Sequence, residues 1–279
     1  MRQERPGPEI EQEKFGRNIE IHAFFVRHGE KGLSTTSGET ALTAEGEEQS
    51  AIFGKSHLRS PVVKAYSSAT QRTEKTAQLA SEASTAGKKL NRVIKDELRF
   101  QYDPHGEFAR ENFAIKRKIL GSEDEFKELS PEEQERKLSL SGIEQTDHYL
   151  SFGEKRPDPR TFSPVETASL VALRVAKYIR MAERLKPGSI VDFVNATHDY
   201  NIAAFLKEVL VRRVEGQRVI GFDSIAEIGG PIDHTESFHF DIKTDAQGSQ
   251  SVQLYFRGEN YEFSQERMNE LVEIGKRLA

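Results

Sequence analysis

The stretch Phe24-Phe25-Val26-Arg27-His28-Gly29-Glu30 decides how the rest of the chain is read. The apolar run from Ile19 to Val26 predicts a buried strand, and it ends abruptly in a cation, an imidazole, a glycine and an acid. Open α/β sheets place their chemistry at the carboxyl ends of strands. Arg27 offers a planar fork of donors that matches phosphate oxygens. A neutral imidazole at His28 is a competent nucleophile toward phosphorus, and Gly29 lets the backbone approach a ligand closely. A strand-end histidine by itself is more often structural than catalytic, so the reading depends on what the rest of the chain brings to the same edge.

Downstream lies a polar, Gly/Ser/Thr-rich loop from Lys31 to Thr40. Thr43 is the expected N-cap of a helix running to about Leu58, with Glu45, Glu47 and Glu48 in the first turn where the dipole favours acids. Pro61 to Tyr66 predicts a second strand. It feeds directly into Ser67-Ser68-Ala69-Thr70-Gln71-Arg72-Thr73, a second strand-to-helix corner. Small residues at Ala69, Thr73, Thr76, Ala77 and Ala80 give that helix a face able to approach a sheet closely. Arg92-Val93-Ile94 is a third candidate strand.

From about 104 to 160 the composition becomes highly charged and reads as helices without strands, an inserted helical cap over one edge of the sheet. Ser130-Pro131-Glu132-Glu133 and Ser163-Pro164-Val165-Glu166 are both capping boxes with proline at the first helical position. The second opens a long amphipathic helix to about Leu185. Ser189 to Ala196 predicts the fourth strand, with Thr197-His198-Asp199 at its carboxyl end and a helix from Asn201 to about Val211. Phe238, Phe240 and Ile242 alternate, as do Val252, Leu254 and Phe256, which predicts a hairpin. Ser264 to Leu278 closes the chain as a helix. This order implies a three-layer α/β/α sandwich with a mainly parallel central sheet.

The 279 residues, 36% hydrophobic and 30% charged, suffice for one core with an insertion. Residues 1–18 are polar and are expected to be a flexible leader; 19–279 is expected to be a single domain. The absence of cysteine removes disulfides, thiolate chemistry and Cys-ligated zinc, and fits a cytoplasmic protein. No segment has the length and apolarity of a membrane span. A net charge of -5 argues against a general nucleic-acid binder, so a phosphate site here is a local basic pocket in an acidic protein.

Three strand ends carry Arg27-His28, Arg72 and His198-Asp199. Consecutive ends of a parallel sheet share one edge, so these groups converge into a cage of donors for a tetrahedral dianion. One histidine attacks in line, and a carboxylic acid protonates the leaving oxygen. At this point the chain resembles the histidine phosphatase superfamily, also called phosphoglycerate mutase-like. The resemblance rests on Arg27-His28-Gly29-Glu30, on Leu42-Thr43-Ala44-Glu45-Gly46-Glu47-Glu48-Gln49 with its "LT-x-x-G-x-x-Q" pattern, on Ser67-Ser68 followed by Arg72-Thr73 and Thr76-Ala77, and on His198, in family order.

The resemblance implies a nucleophilic His28 that becomes phosphorylated, phosphoryl-binding Arg27 and Arg72, and His198 stabilising the transition state. It implies no metal and no cofactor. The general acid stays open between Asp199 and Glu97. Thr197-His198-Asp199-Tyr200-Asn201-Ile202 resembles the "HD-x-N" signature of the acid-phosphatase branch, whose donor is the aspartate; the mutase-like branch uses a glutamate after the second arginine, for which Glu97 is the candidate. Asp199 is placed slightly ahead. Lys31 stands where the acid-phosphatase branch has an arginine and supplies a weaker contact to substrate. Asp199 is also an ordinary residue before a helix, His198 a possible helix cap, and Glu97 a possible solvated loop acid. Glu166 is explained by its capping box, and His22 reads as packing. His57, His148, His234 and His239 follow no pattern, while His105 is a candidate for the pocket under the cap.

The implied activity is a metal-independent phosphomonoesterase acting on a small phosphorylated substrate. Leu98-Arg99-Phe100-Gln101-Tyr102 lacks the Arg-His-Tyr-Gly stretch of the mutases, so hydrolysis is favoured over a mutase. A phospho-ligand or protein-binding module on the same fold is the competing reading. A metal-dependent phosphohydrolase using His198-Asp199 as an "HD" pair fits poorly, because such domains are helical and this pair follows an apolar strand. Substrate identity and oligomeric state are not legible.

Overall fold

The structure is a computed structural model and describes residues 15–32 and 40–279. The leader expected over 1–18 therefore lies outside the described residues as far as 14, and so does most of the loop expected over 31–40. Residues 16–18 are tied to the body: Gly16 N donates to the Leu185 carbonyl at 2.9 Å, and Asn18 N to the Asp245 carbonyl at 3.1 Å.

The strand read first is β1, Glu20–Arg27, and it lies near the centre of the sheet. The parallel half comprises β3 (Lys88–Ile94), β2 (Val62–Ser67), β4 (Ile190–Thr197) and β1, side by side in that order. Each of these strands but β3 is followed directly by chemistry-bearing residues at its carboxyl end. Ile21, Ala23 and Phe25 are completely buried on one face of β1, while Phe24 and Val26 are buried on the other. This is why the strand reads as a continuous apolar run rather than an alternating one.

On its other side β1 pairs antiparallel with β7 (Ser237–Thr244). The sheet then continues through β8 (Gln250–Phe256), β9 (Glu259–Phe263), β5 (Leu210–Val214) and β6 (Gln217–Ile220), giving nine strands among the described residues. The expected parallel order thus holds where the site lies, and the sheet as a whole is mixed. The hairpin of β7 and β8 appears as read. The strands β5, β6 and β9 were not anticipated.

Two helices cover one face of the parallel half, α1 (Ala44–His57) and α2 (Gln71–Ala83). Thr43 caps α1 as expected, accepting from Gly46 N at 3.0 Å. The small face of α2, with Thr73, Thr76, Ala77 and Ala80 fully buried, meets α1 as well as the sheet. A Cβ on Gly54 would collide with the Ala80 carbonyl, so glycine is what lets the two helices touch. The opposite face carries the larger core, against α6 (Pro164–Ala182), α7 (Asp199–Val209) and α8 (Gln265–Leu278).

The insertion forms α3 (Glu107–Leu120), α4 (Glu123–Lys127) and α5 (Pro131–Ser151). Both expected capping boxes are present, Ser130 with Glu133 and Ser163 with Glu166. Aromatic rings bind the insertion to the start of α7: Tyr200 lies 5.0 Å from Tyr149, 4.8 Å from Phe100 and 6.1 Å from Phe108. Asn112 Nδ2 donates to the Tyr200 hydroxyl at 2.9 Å. The inserted helices are therefore held one residue away from Asp199. His22, read as packing, instead shares a 2.6 Å hydrogen bond with Asp241 across the β1–β7 pair.

Candidate active site

The loop after β1 is held from both sides of the sheet edge. His28 N donates to the Thr197 carbonyl at 3.1 Å, joining the ends of β1 and β4. Gly29 N donates to Thr76 Oγ1 at 3.0 Å, bringing in α2. The "LT-x-x-G-x-x-Q" segment is a clamp on this loop. Gln49 Oε1 accepts from Glu30 N at 3.0 Å, Thr43 N donates to the Glu30 carbonyl at 3.0 Å, and Thr43 Oγ1 donates to Glu30 Oε2 at 2.8 Å. Gly29 and Gly46 face each other so closely that a Cβ on Gly29 would strike the Gly46 carbonyl, and one on Gly46 would strike the Glu30 carbonyl. The two motifs are thus one packed unit whose product is the placement of His28.

The His28 ring is 4% exposed, and its Nδ1 lies 2.8 Å from the Gly29 carbonyl. A carbonyl only accepts, so Nδ1 carries the proton and Nε2 keeps its lone pair. Burial, followed by the nearby His198, Arg72 and Arg27, holds the imidazole well below its ordinary pKa. The ring is therefore neutral at physiological pH, as a nucleophile toward phosphorus must be.

His198 stands beside it, ring centroids 5.4 Å apart and nearly perpendicular. Arg72 Nη2 approaches His198 Nδ1 at 3.4 Å, and Ser68 Oγ lies 3.2 Å from Nε2. Arginine is only a donor, which puts the His198 proton on Nε2, facing Ser68. Ser68 is itself fixed by Thr73 Oγ1 at 2.7 Å. Burial and the Arg72 charge push the His198 pKa down to about 3. His198 occupies the N-cap position of α7 but makes no side-chain cap bond, so its ring belongs to the pocket.

Arg27 reaches two ways. Its Nη1 donates to the Ile232 carbonyl, and Nη2 lies 3.2 Å from Asp199 Oδ2. Its buried Nε has no hydrogen-bond partner among the described residues, a donor that an incoming oxyanion would satisfy. Asp199 also accepts from Tyr200 N at 2.9 Å, but it is the first residue of α7, with His198 in the N-cap position, so the reading of Asp199 as a cap before the helix does not hold. Burial raises the Asp199 pKa, but Arg27 and His198 outweigh it and hold the carboxyl below the usual range.

Glu97 lies elsewhere. Its Oε1 is 3.1 Å from Lys177 Nζ and 3.5 Å from Arg174 Nη1, both on α6. These contacts hold its pKa down against the cost of burial. After the short turn of Asp96–Leu98, the side chain that packs beside Tyr200 is Phe100, not Glu97. Lys31 is exposed at the rim, where partial desolvation and the like charges of Arg72, Arg27 and Lys116 lower its pKa against the pull of Asp199. His105 is exposed, and its backbone, not its ring, carries its contacts.

Arg27, His28, Arg72, His198 and Asp199 are therefore brought together, Lys31 flanks them, and Glu97 is drawn to α6. Sequence reasoning missed His234. Its ring centroid lies 6.2 Å from that of His28, and burial together with Arg27 pushes its pKa down to about 4. It sits in an irregular loop with no periodicity to mark it. Ser68 was visible in the motif, but its bond to His198 was not.

Residues 23–99 match the family model of the histidine phosphatase superfamily (branch 1), a segment that holds Arg27, His28, Arg72 and Glu97 and stops short of His198. The resemblance read from the sequence holds over that segment. No curated protein matches the chain. Among solved structures, a phosphoglycerate mutase from Bacillus anthracis str. Sterne is similar at 15% identity and TM-score 0.47, covering 94% of this chain and 99% of that one. A mycobacterial glucosyl-3-phosphoglycerate phosphatase is similar at 14% identity and TM-score 0.47, covering 86% and 99%. A phosphoserine phosphatase variant from Entamoeba histolytica, in complex with phosphoserine, is similar at 16% identity and TM-score 0.45, covering 83% and 94%.

Proposed function

We propose that the chain is a phosphomonoesterase that works through a phosphohistidine on His28. The observation that carries this reading is the fixed tautomer of His28, with Nδ1 held by the Gly29 carbonyl. A buried, neutral ring with a free Nε2 sits among two arginines and a second histidine, the donor set that an in-line phosphoryl transfer requires. Nε2 attacks phosphorus as the P–O bond to the leaving group breaks. Arg27 and Arg72 hold the non-bridging oxygens, and His198 joins them when Arg72 leaves its Nδ1 for phosphate and the ring turns its N–H from Ser68 to the oxyanion. Water then attacks phosphorus as the N–P bond breaks, releasing phosphate and restoring the imidazole.

Asp199 is the proposed acid. The dianion of the substrate competes for Arg27, weakening the ion pair at 3.2 Å and raising the proton affinity of the carboxyl it releases. The protonated acid gives its proton to the leaving oxygen, and the resulting carboxylate takes one from water in the second step. Lys31 completes the rim as a mobile point charge for a small phosphorylated substrate.

A second reading is favoured by one observation: both candidate carboxyls are held toward the ionised form by cations, Asp199 by Arg27 and Glu97 by Lys177 and Arg174. A pocket of this kind binds a phosphorylated ligand without turning it over. Hydrolysis of a generic aryl phosphate, with a chelator present, separates the readings. Release of the phenol by wild type and its loss in His28→Ala supports the phosphatase; vanadate binding with no release from any of a panel of phosphoesters supports the binding module.

A further inference from the structure

We propose that His234 is a third imidazole of the phosphoryl site and that Arg257 is the positioning residue that holds it there; this rests on the phosphoryl-transfer reading above. The turn carrying His234 is pinned to the end of β1 on both edges. Arg27 N donates to the Glu236 carbonyl at 2.9 Å, and Thr235 N donates to the Arg27 carbonyl at 3.1 Å. Asp233 N closes the turn onto Glu236 Oε2 at 2.8 Å. The residue between these anchors is therefore set against Arg27 and His28 by backbone bonds, not by chance packing.

The ring nitrogens of His234 make no hydrogen bond among the described residues. The contrast with the paired histidines is plain: His22 is bound to Asp241 at 2.6 Å and His148 to Glu111 at 3.0 Å. The centroids of the His198 and His234 rings lie 5.4 and 6.2 Å from that of His28. Separations of this size are short enough for an oxygen of a phosphoryl group on His28 Nε2 to bridge to either ring. A neutral imidazole always has one N–H to give, so His234 has a donor to offer a non-bridging oxygen.

Arg257 supplies the rigidity. It stands at φ 51°, in the left-handed region, at the turn between β8 and β9. Its guanidinium forks onto Glu236, Nε to Oε1 at 2.6 Å and Nη2 to Oε2 at 3.0 Å. Nη2 also donates to the Pro231 carbonyl at 2.8 Å, and Nη1 donates to the Ile228 carbonyl. One side chain thus gathers both ends of the segment that carries Ile232, the acceptor for Arg27, and His234. A residue with so many loop carbonyls as partners acts on the site through the loop and does not touch substrate.

The test follows the histidine C–H resonances by NMR as inorganic phosphate is added, and measures vanadate affinity in variants. The expected result is that His28, His198 and His234 shift with one common phosphate dependence. His234→Ala then weakens vanadate binding about 10- to 100-fold, the scale of a hydrogen bond to a charged group, while His234→Gln, which keeps an N–H donor, loses less. Arg257→Ala moves the His234 resonance in the ligand-free protein and weakens vanadate, and Arg257→Lys, which keeps the charge but not the fork, does so to a smaller extent. If His28 and His198 respond while His234 does not, or if His234→Ala binds vanadate like wild type, the role of His234 is overturned with the site intact. If both Arg257 variants leave the His234 resonance and vanadate affinity unchanged, the positioning role is overturned. If none of the three rings responds, the phosphoryl reading itself fails and carries the inference with it.

Discussion

Arg27 Nη2 lies 3.2 Å from Asp199 Oδ2, so the cation proposed to bind phosphate is also the partner of the proposed acid. The two roles are coupled: whatever draws Arg27 toward an oxyanion frees Asp199 to take up a proton. Asp199→Asn removes the acid while releasing the cation. We expect turnover of an alkyl phosphate to fall by about 10²- to 10⁴-fold, a smaller fall for an aryl phosphate whose leaving group needs no proton, and vanadate affinity equal to wild type or tighter. Steady-state rates across a leaving-group series and a vanadate titration measure both.

Glu97 is expected to matter for stability and not for turnover. Its carboxylate faces Lys177 and the buried Arg174, whose guanidinium also stacks 3.7 Å over the Tyr66 ring. Glu97→Gln should cost about 1–3 kcal/mol and leave the leaving-group dependence unchanged. Because the folded-state pKa is depressed below the ordinary 4.5, the stability it contributes is present above that value and is lost as pH falls through the lower folded value. The gap in melting temperature between wild type and variant should therefore close on acidification below about 4.5.

The buried histidines predict a second acid-sensitive term. His198 has an ordinary value of 6.5 and a folded value of about 3, so the unfolded chain binds the proton more readily between them. Its contribution to stability is full above 6.5 and erodes as pH falls from 6.5 toward 3. Each ring of this kind steepens the loss by up to about 1.4 kcal/mol per pH unit. Urea unfolding of wild type and His198→Gln over that range checks the slope, and histidine NMR should show His198 still neutral at mildly acid pH.

Gly29→Ala and Gly46→Ala are expected to damage the site through packing alone. Each added Cβ meets a backbone carbonyl of the facing loop, and neither can move without shifting His28 or the start of α1. Overpacking of this kind costs about 1–3 kcal/mol. We expect lower melting temperatures and weaker vanadate binding in a folded protein, with Thr43→Val, which loses the bond to Glu30, a milder version of the same defect.

Much of this was legible in the sequence because local signals agreed with the fold. Thr43, Ser130 and Ser163 announce their helices by capping chemistry, and the apolar run ahead of Arg27 marks a strand buried on both faces. The family pattern named the residues of the clamp, although only the structure shows Gln49 and Thr43 gripping Glu30. The unread strands share one cause. The turns at Glu215-Gly216 and Arg257-Gly258 both have positive φ at both positions, with φ of 51° and 81° at the first and 51° and 77° at the second. Such hairpin turns usually declare themselves by Asn-Gly or Asp-Gly; glutamate and arginine in the first position hide them. Glu97 was a candidate through its resemblance to the mutase-like glutamate after the second arginine, and a position in a family pattern does not say which way a side chain turns after a short helical turn. His234 lies on a loop whose position depends on Arg257, far along the chain, and no local pattern reports such a contact.

The central claim is that His28 carries the phosphoryl group. Intact-protein mass spectrometry after rapid, acid-free quenching with an aryl phosphate tests it most directly, run on wild type, Asp199→Asn and His28→Ala. The account predicts a single phosphoryl adduct, accumulating when Asp199→Asn slows its hydrolysis, mapped to His28 and absent from His28→Ala, which also releases no phenol. Turnover retained by His28→Ala, or an equal adduct on another residue, would contradict it.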